Sequence, residues 1–174
     1  MSTINKFKWF WAWEDEKEEA WLGKMAREGW HLKKLGFPNK YKFESGDPRK
    51  DRYRMDFMAD RKNYQNYLQL FQDAGWEHIG KLGGWQYFRT RKDRNDAPEI
   101  YTDTDSKIQK YQRLFSYLTI FFPVLFIFAT RPIVETSWLA NVYEIGKFFM
   151  GLLLGIWAYT IVMILSRIKQ LKNK

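Results

Sequence analysis

Residues 7–37 read FKWFWAWEDEKEEAWLGKMAREGWHLKKLGF, and residues 53–89 read YRMDFMADRKNYQNYLQLFQDAGWEHIGKLGGWQYFR. Set at a constant offset of 46 positions, the two stretches answer one another without a gap. Phe7 falls on Tyr53, Trp9 on Met55 and Trp11 on Phe57. Trp21, Leu22 and Met25 fall on Tyr67, Leu68 and Phe71, Gly29-Trp30 on Gly75-Trp76, and Tyr41 on Tyr87. Self-similarity at a fixed period marks a repeated supersecondary unit, and two copies are too few for a solenoid. The pattern predicts a duplicated unit closing into one core.

Each copy reads as strand, helix, strand, strand. Phe7, Trp9, Trp11 and Trp13 alternate with Lys8, Phe10 and Ala12, and Tyr53, Met55 and Phe57 alternate with Arg52, Arg54 and Asp56. Period two is the mark of a half-buried strand. Helices are expected at about Glu14–Glu28 and Asn63–Ala74, their apolar residues forming one stripe toward a sheet. Gly29 and Gly75 sit where a left-handed residue ends a helix and lets the next apolar residue pack back. Short strands follow at Leu32–Leu35, Tyr41–Glu44, His78–Leu82 and Trp85–Arg89, separated by turns at residues 36–39 and 83–84. The class is α+β: a tandem βαββ repeat forming a mainly antiparallel sheet, with both helices on one face. A βαββαβ ferredoxin-like count is the alternative if the hairpins merge.

The segment FKWFWAWEDEKEEAWLGKMAREGWHLKKLGF, with DAGWEHIGKLGGWQYFR further on, resembles the bacterial domain of unknown function 2812 family over about residues 5–91. The resemblance implies an uncharacterised protein, C-terminal membrane helices and an association with PadR-type transcriptional repressors. It brings no catalytic residues.

Mean hydropathy is negative, yet the apolar residues are segregated. Residues 114–134 hold one charge, Arg131, near their end, and residues 148–166 hold none. About 20 apolar residues cross a hydrocarbon core as a helix, and neither segment shows the polar face of a soluble helix. Two spans are expected, the first kinked at Pro123. The domains are then residues 1–92, a linker at 93–110, and a transmembrane hairpin at 111–174.

Residues 1–105 carry 20 Lys+Arg against 18 Asp+Glu, and residues 106–174 carry 9 against 2. The basic excess therefore belongs to the membrane segment and its flanks, which argues against nucleic acid and for a lipid bilayer as partner. Lys107, Lys110 and Arg113 precede the first span, and Arg167, Lys169, Lys172 and Lys174 follow the second. Cationic flanks resist translocation, so a multi-pass protein of the cell membrane with both termini cytoplasmic is expected. Residues 1–8 hold no signal-peptide run, which agrees with a cytoplasmic domain. Gly151, Gly155 and Ala158 share one helical face that admits close approach, either within the chain or in a homodimer.

Chemistry is sparse. Cysteine is absent, the two histidines, His31 and His78, are not repeat-equivalent, and no phosphate loop, dinucleotide fingerprint or nucleophile elbow appears. No catalytic, cofactor or metal residues are expected. The acidic run Glu14–Glu19 reads as a solvated face satisfied by the helix dipole. Seven of nine tryptophans lie within residues 9–85. They read chiefly as core, with Trp9, Trp11 and Trp85 as candidates for an aromatic groove. Two functions remain open. One is a non-enzymatic, membrane-tethered regulatory module binding a cytoplasmic regulatory protein. The other is a sensor or resistance accessory for an amphipathic small molecule.

Overall fold

The computed structural model describes residues 2–58, 62–91, 104–130 and 139–173, with backbone alone for residues 139–143. The chain divides into two compact units, Met1–Lys110 and Tyr111–Lys174.

The first unit is mixed α+β. Its elements are β1 (Thr3–Phe7), α1 (Asp15–Arg27), β2 (Trp30–Gly36), β3 (Lys40–Ser45), β4 (Arg52–Phe57), α2 (Tyr64–Asp73), β5 (Glu77–Leu82) and β6 (Trp85–Thr90). They build two antiparallel three-stranded sheets, ordered β1-β3-β2 and β4-β6-β5. The expected single sheet is corrected to two. In each half the third strand lies between the first and second, so β2 and β5 become edges. Both edges are interrupted by a bulge, at Leu32/Lys34 and at His78/Gly80, and a bulge breaks the straight edge that pairing requires. Leu35 comes up to Gly80 there, but the two strands share no ladder.

The first helix touches both sheets. Trp21 meets Tyr41 and Phe43 edge-on at 4.9 and 5.6 Å, while Leu22, Met25 and Ala26 share a core with Tyr53, Met55 and Tyr87. The second helix lies on the opposite face of the second sheet, where Phe71 stacks on Phe88 at 4.3 Å. The helices therefore do not share one face of one sheet.

Two further expectations change. The first strand ends at Phe7, and residues 8–14 are not strand. There Trp11 and Trp13 stack at 5.2 Å, and the Trp11 N–H donates to the Glu14 carboxylate at 3.2 Å. Spacing of two residues serves ring stacking in a loop as readily as a pleat. The constant offset also fails. Gly36 pairs with Lys40 across three residues, but Leu82 pairs with Trp85 across two, so β3 corresponds to β6 at 45 positions. Phe7 opposite Lys40 then corresponds to Phe57 opposite Trp85, 50 positions on. Phe43 matches Phe88, and Tyr41 matches Gln86 rather than Tyr87.

Gly29 and Gly75 have φ of +82° and +83°. The Gly75 N–H donates to the Gln72 carbonyl and the Trp76 N–H to the Phe71 carbonyl, both at 2.9 Å, the paired closure of a left-handed helix end. Trp76 is buried beneath it and Trp30 half-buried.

Beyond residue 103 come α3 (Thr104–Ile120), α4 (Phe122–Thr130) and α5 (Leu139–Lys172). Residues 104–110, assigned to a linker by sequence, are helical. The rest of that linker, Arg131 and Glu135 lie outside the described residues. Two helices, Thr104–Thr130 and Glu144–Lys172, are long and apolar enough to cross a membrane. The first is interrupted at Phe121, two residues before Pro123, whose ring removes a backbone donor and crowds the preceding turn. Across the pair Trp157 stands over Phe122 at 4.8 Å, and its indole N–H donates to the Leu118 carbonyl at 3.0 Å.

Candidate functional site

The first turn of α1 carries Asp15, Glu16 and Glu18, with Glu19 next. A helical period divides this run. Glu16 and Lys17 face solvent, whereas Asp15, Glu18 and Glu19 are only 1%, 5% and 8% exposed. The reading of the whole run as a solvated face is thus corrected. These three acids continue, at steps of three and four residues, the stripe formed by Leu22, Met25 and Ala26, and the stripe is held between two sheets.

Buried carboxylates need partners, and each has them. The Glu18 Oε1 accepts the hydroxyls of Tyr41 and Tyr87, both at 2.7 Å. One phenol comes from each sheet, so Glu18 joins them. The Glu19 Oε1 accepts the Met55 backbone N–H at 2.8 Å, and its Oε2 accepts from Arg54 at 3.0 Å. Met55 lies on β4, an edge strand, so Glu19 covers a backbone donor that no neighbouring strand takes. The Lys110 ammonium, itself buried, bonds Asp15 Oδ2. Lys110 belongs to α3, the helix that runs on into the first apolar segment.

Arg54 thus meets Glu19 and Lys110 meets Asp15, while Glu18 is met by two phenols. Burial pushes the Glu19 carboxyl up to about 7, against the pull of Arg54. Burial also raises Glu18, offset in part by the two phenols. Tyr41 and Tyr87 are raised by burial and by the Glu18 charge. Chemically the cluster can take up a proton near neutrality and couple α1, both sheets and α3. Sequence reasoning missed Asp15, Glu18, Glu19, Arg54 and Lys110. The available signal was the 15, 18/19, 22, 25/26 spacing, which places the acids on the core face.

The sequence-predicted residues are distributed differently. Trp9 and Trp11 meet edge-on at 5.8 Å and are exposed. Trp85 lies in the other sheet, packed on Phe57 at 5.5 Å. His31 faces buried Asp51 at 3.6 Å, and His78 contacts Gln86 at 3.1 Å, in separate places. Burial lowers the His78 pKa. Among the described residues no group of three His, Cys, Asp or Glu has a metal-holding arrangement. Gly151, Gly155 and Ala158 are exposed on α5. A Cβ at either glycine would meet nothing within 4 Å.

These features define a class: a small α+β domain with a buried acid–base network, followed by helices of membrane-crossing length. The chain belongs to the family described as protein of unknown function (DUF2812), whose sequence profile matches residues 14–123. No curated protein and no solved structure matches the chain. The match runs from the acidic turn of α1 through Lys110 into the first apolar helix, further than the 5–91 resemblance.

Proposed function

We propose that this chain is a membrane-anchored regulatory module without enzymatic activity, whose cytoplasmic domain binds a regulatory protein, such as a PadR-type repressor. The observation that carries the reading is the buried Asp15–Lys110 pair. It ties the start of the domain's central helix to the helix that continues into the first apolar segment, so a partner that shifts α1 also acts on the anchor. The like strand orders and left-handed glycines support two copies of one βαββ unit, offset by 45 to 50 positions instead of a constant 46. The apolar helices form a hairpin across the cell membrane with both termini cytoplasmic, as the flanking Lys and Arg favour. The open face at Gly151, Gly155 and Ala158 supports a homodimer.

Full-length protein extracted from native membranes in mild detergent should bring down a stoichiometric cytoplasmic regulator. Asp15→Asn should weaken that complex while the chain stays in the membrane fraction. If no protein accompanies it, and tryptophan emission responds to amphipathic compounds, the second reading takes its place. That reading, a sensor or resistance accessory, is favoured by the exposed Trp9–Trp11 ring pair.

A further inference from the structure

One end of the first sheet is built unlike the matching end of the second. Phe57, opposite Trp85, is 3% exposed, whereas Phe7, opposite Lys40, is 63% exposed. The turn between β5 and β6 is Gly83-Gly84, but the turn between β2 and β3 presents Phe37 at 86% exposure. The Lys8 N–H donates to the Asn39 carbonyl at 3.3 Å, which brings the segment bearing Phe7, Trp9 and Trp11 alongside that turn. Four large apolar rings thus project from one end.

The sheet that carries them is cationic, although the Glu14 carboxylate lies beside the Trp11 backbone. The strands of this sheet carry exposed Lys6, Lys33, Lys34, Lys40 and Lys42. Their one acid, Glu44, is engaged by Lys33 at 3.3 Å. Register puts Lys34, Lys42 and Asn5 in one row across the outer face, with Lys40 and Phe7 in the next. Among the described residues of the first unit no helix covers this face, whereas α1 and α2 take both faces of the other sheet.

Exposed aromatic rings at one end of a lysine-bearing sheet match the chemistry of a bilayer interface. Amphipathic rings settle at headgroup depth, and lysines near an anionic surface add attraction that is screened within a Debye length. We infer that this end of the first sheet docks on the anionic bilayer surface, with Phe7, Trp9, Trp11 and Phe37 entering the headgroup layer and Lys40 and Lys42 engaging lipid phosphates. The inference rests on the membrane anchoring proposed above, which supplies the bilayer within reach.

The chain has no cysteine, so single labels can be placed cleanly. Full-length Phe37→Cys and, for comparison, Gln72→Cys on exposed α2 are labelled with an environment-sensitive fluorophore. They are then reconstituted in nanodiscs of phosphatidylcholine alone or with phosphatidylglycerol, each containing a lipid-borne nitroxide quencher. Quenching at position 37 should be several-fold stronger than at position 72 in the anionic discs. It should fall on Lys40→Glu with Lys42→Glu, and at high salt. Equal quenching at both positions, a label at 37 as water-exposed as that at 72, shielding from water without lipid quenching, or indifference to lipid charge would each overturn the proposal. Retention of the chain in membranes after an alkaline wash is read in parallel. Loss there breaks the anchoring itself, whereas retention with an aqueous label at 37 breaks the docking alone.

Discussion

The two halves of the first unit share strand order and helix-ending glycines, yet their helices live in different surroundings. The first helix, 13 residues long, has sheet on two sides and buries Asp15, Glu18, Glu19, Leu22, Gly23, Met25 and Ala26. The second, 10 residues long, has no buried residue. Its Gln65, Gln69 and Gln72 meet water. Counting from Gly29 and Gly75, the extra turn is the N-terminal one that carries Asp15. The site thus lies in the half whose helix is one turn longer and whose acids are enclosed between two sheets. Enclosure converts an ordinary charged turn into a set of groups that must be matched one by one.

The largest effect expected from this contrast is at Lys110. Lys110→Met removes the ammonium from buried Asp15, and breaking a buried pair from one side costs about 3–5 kcal/mol. Thermal unfolding of the detergent-solubilised chain should show a large fall in Tm, whereas Gln65→Ala on the open helix should stay within about 0.5 kcal/mol. Equal effects would erase the distinction between the helices.

Next comes pH. Burial pushes the folded Glu19 carboxyl up to about 7, above its ordinary value of 4.5. Across that window folding takes up a proton, so stability falls as pH rises and levels off above it. The drop amounts to as much as about 3 kcal/mol. Glu18, also raised, adds a slope of the same sign. Glu19→Gln should flatten the dependence of Tm on pH, and an unchanged slope would remove Glu19 from the account.

A smaller effect sharpens the likeness instead of the difference. A Cβ on Gly29 would stand 2.7 Å from the Gly46 carbonyl oxygen, at a φ of +82°. Gly29→Val should cost about 2 kcal/mol, through both strain and the clash, measured by denaturant unfolding.

The smallest effect on stability is at Gly155. Because no neighbour stands within 4 Å of a Cβ there, Gly155→Ile should change the free energy of unfolding by no more than about 0.5 kcal/mol. It should shift cross-linked dimer toward monomer. Loss of the folded monomer would instead place that face inside the chain.

Much of the secondary structure was legible because it rests on local chemistry. Gly29 and Gly75 announced helix ends, the turns at residues 36–39 and 83–84 stood where expected, and two apolar runs announced long helices. What misled was residue spacing with two physical meanings. Trp9, Trp11 and Trp13 alternate like a strand but stack in a loop, and the true strand, Thr3–Phe7, is mostly polar because it is a largely exposed edge strand. The acids of α1 looked solvated because charge density is local, whereas their burial comes from a second sheet and from Lys110, 95 positions beyond Asp15. A single missing residue in a turn also turned Tyr41 and Tyr87 to non-equivalent faces, which no gapless comparison registers.

The indole of Trp157 reaches the Leu118 carbonyl beside the break at Phe121. In hydrocarbon neither group has water to turn to. Sliding either helix by one residue, about 1.5 Å, would part donor from acceptor and strand the indole N–H, whereas the Leu118 carbonyl keeps the Phe121 N–H at 3.2 Å. In mechanical terms the bond is a detent, a contact that favours one axial setting of the two helices over its neighbours.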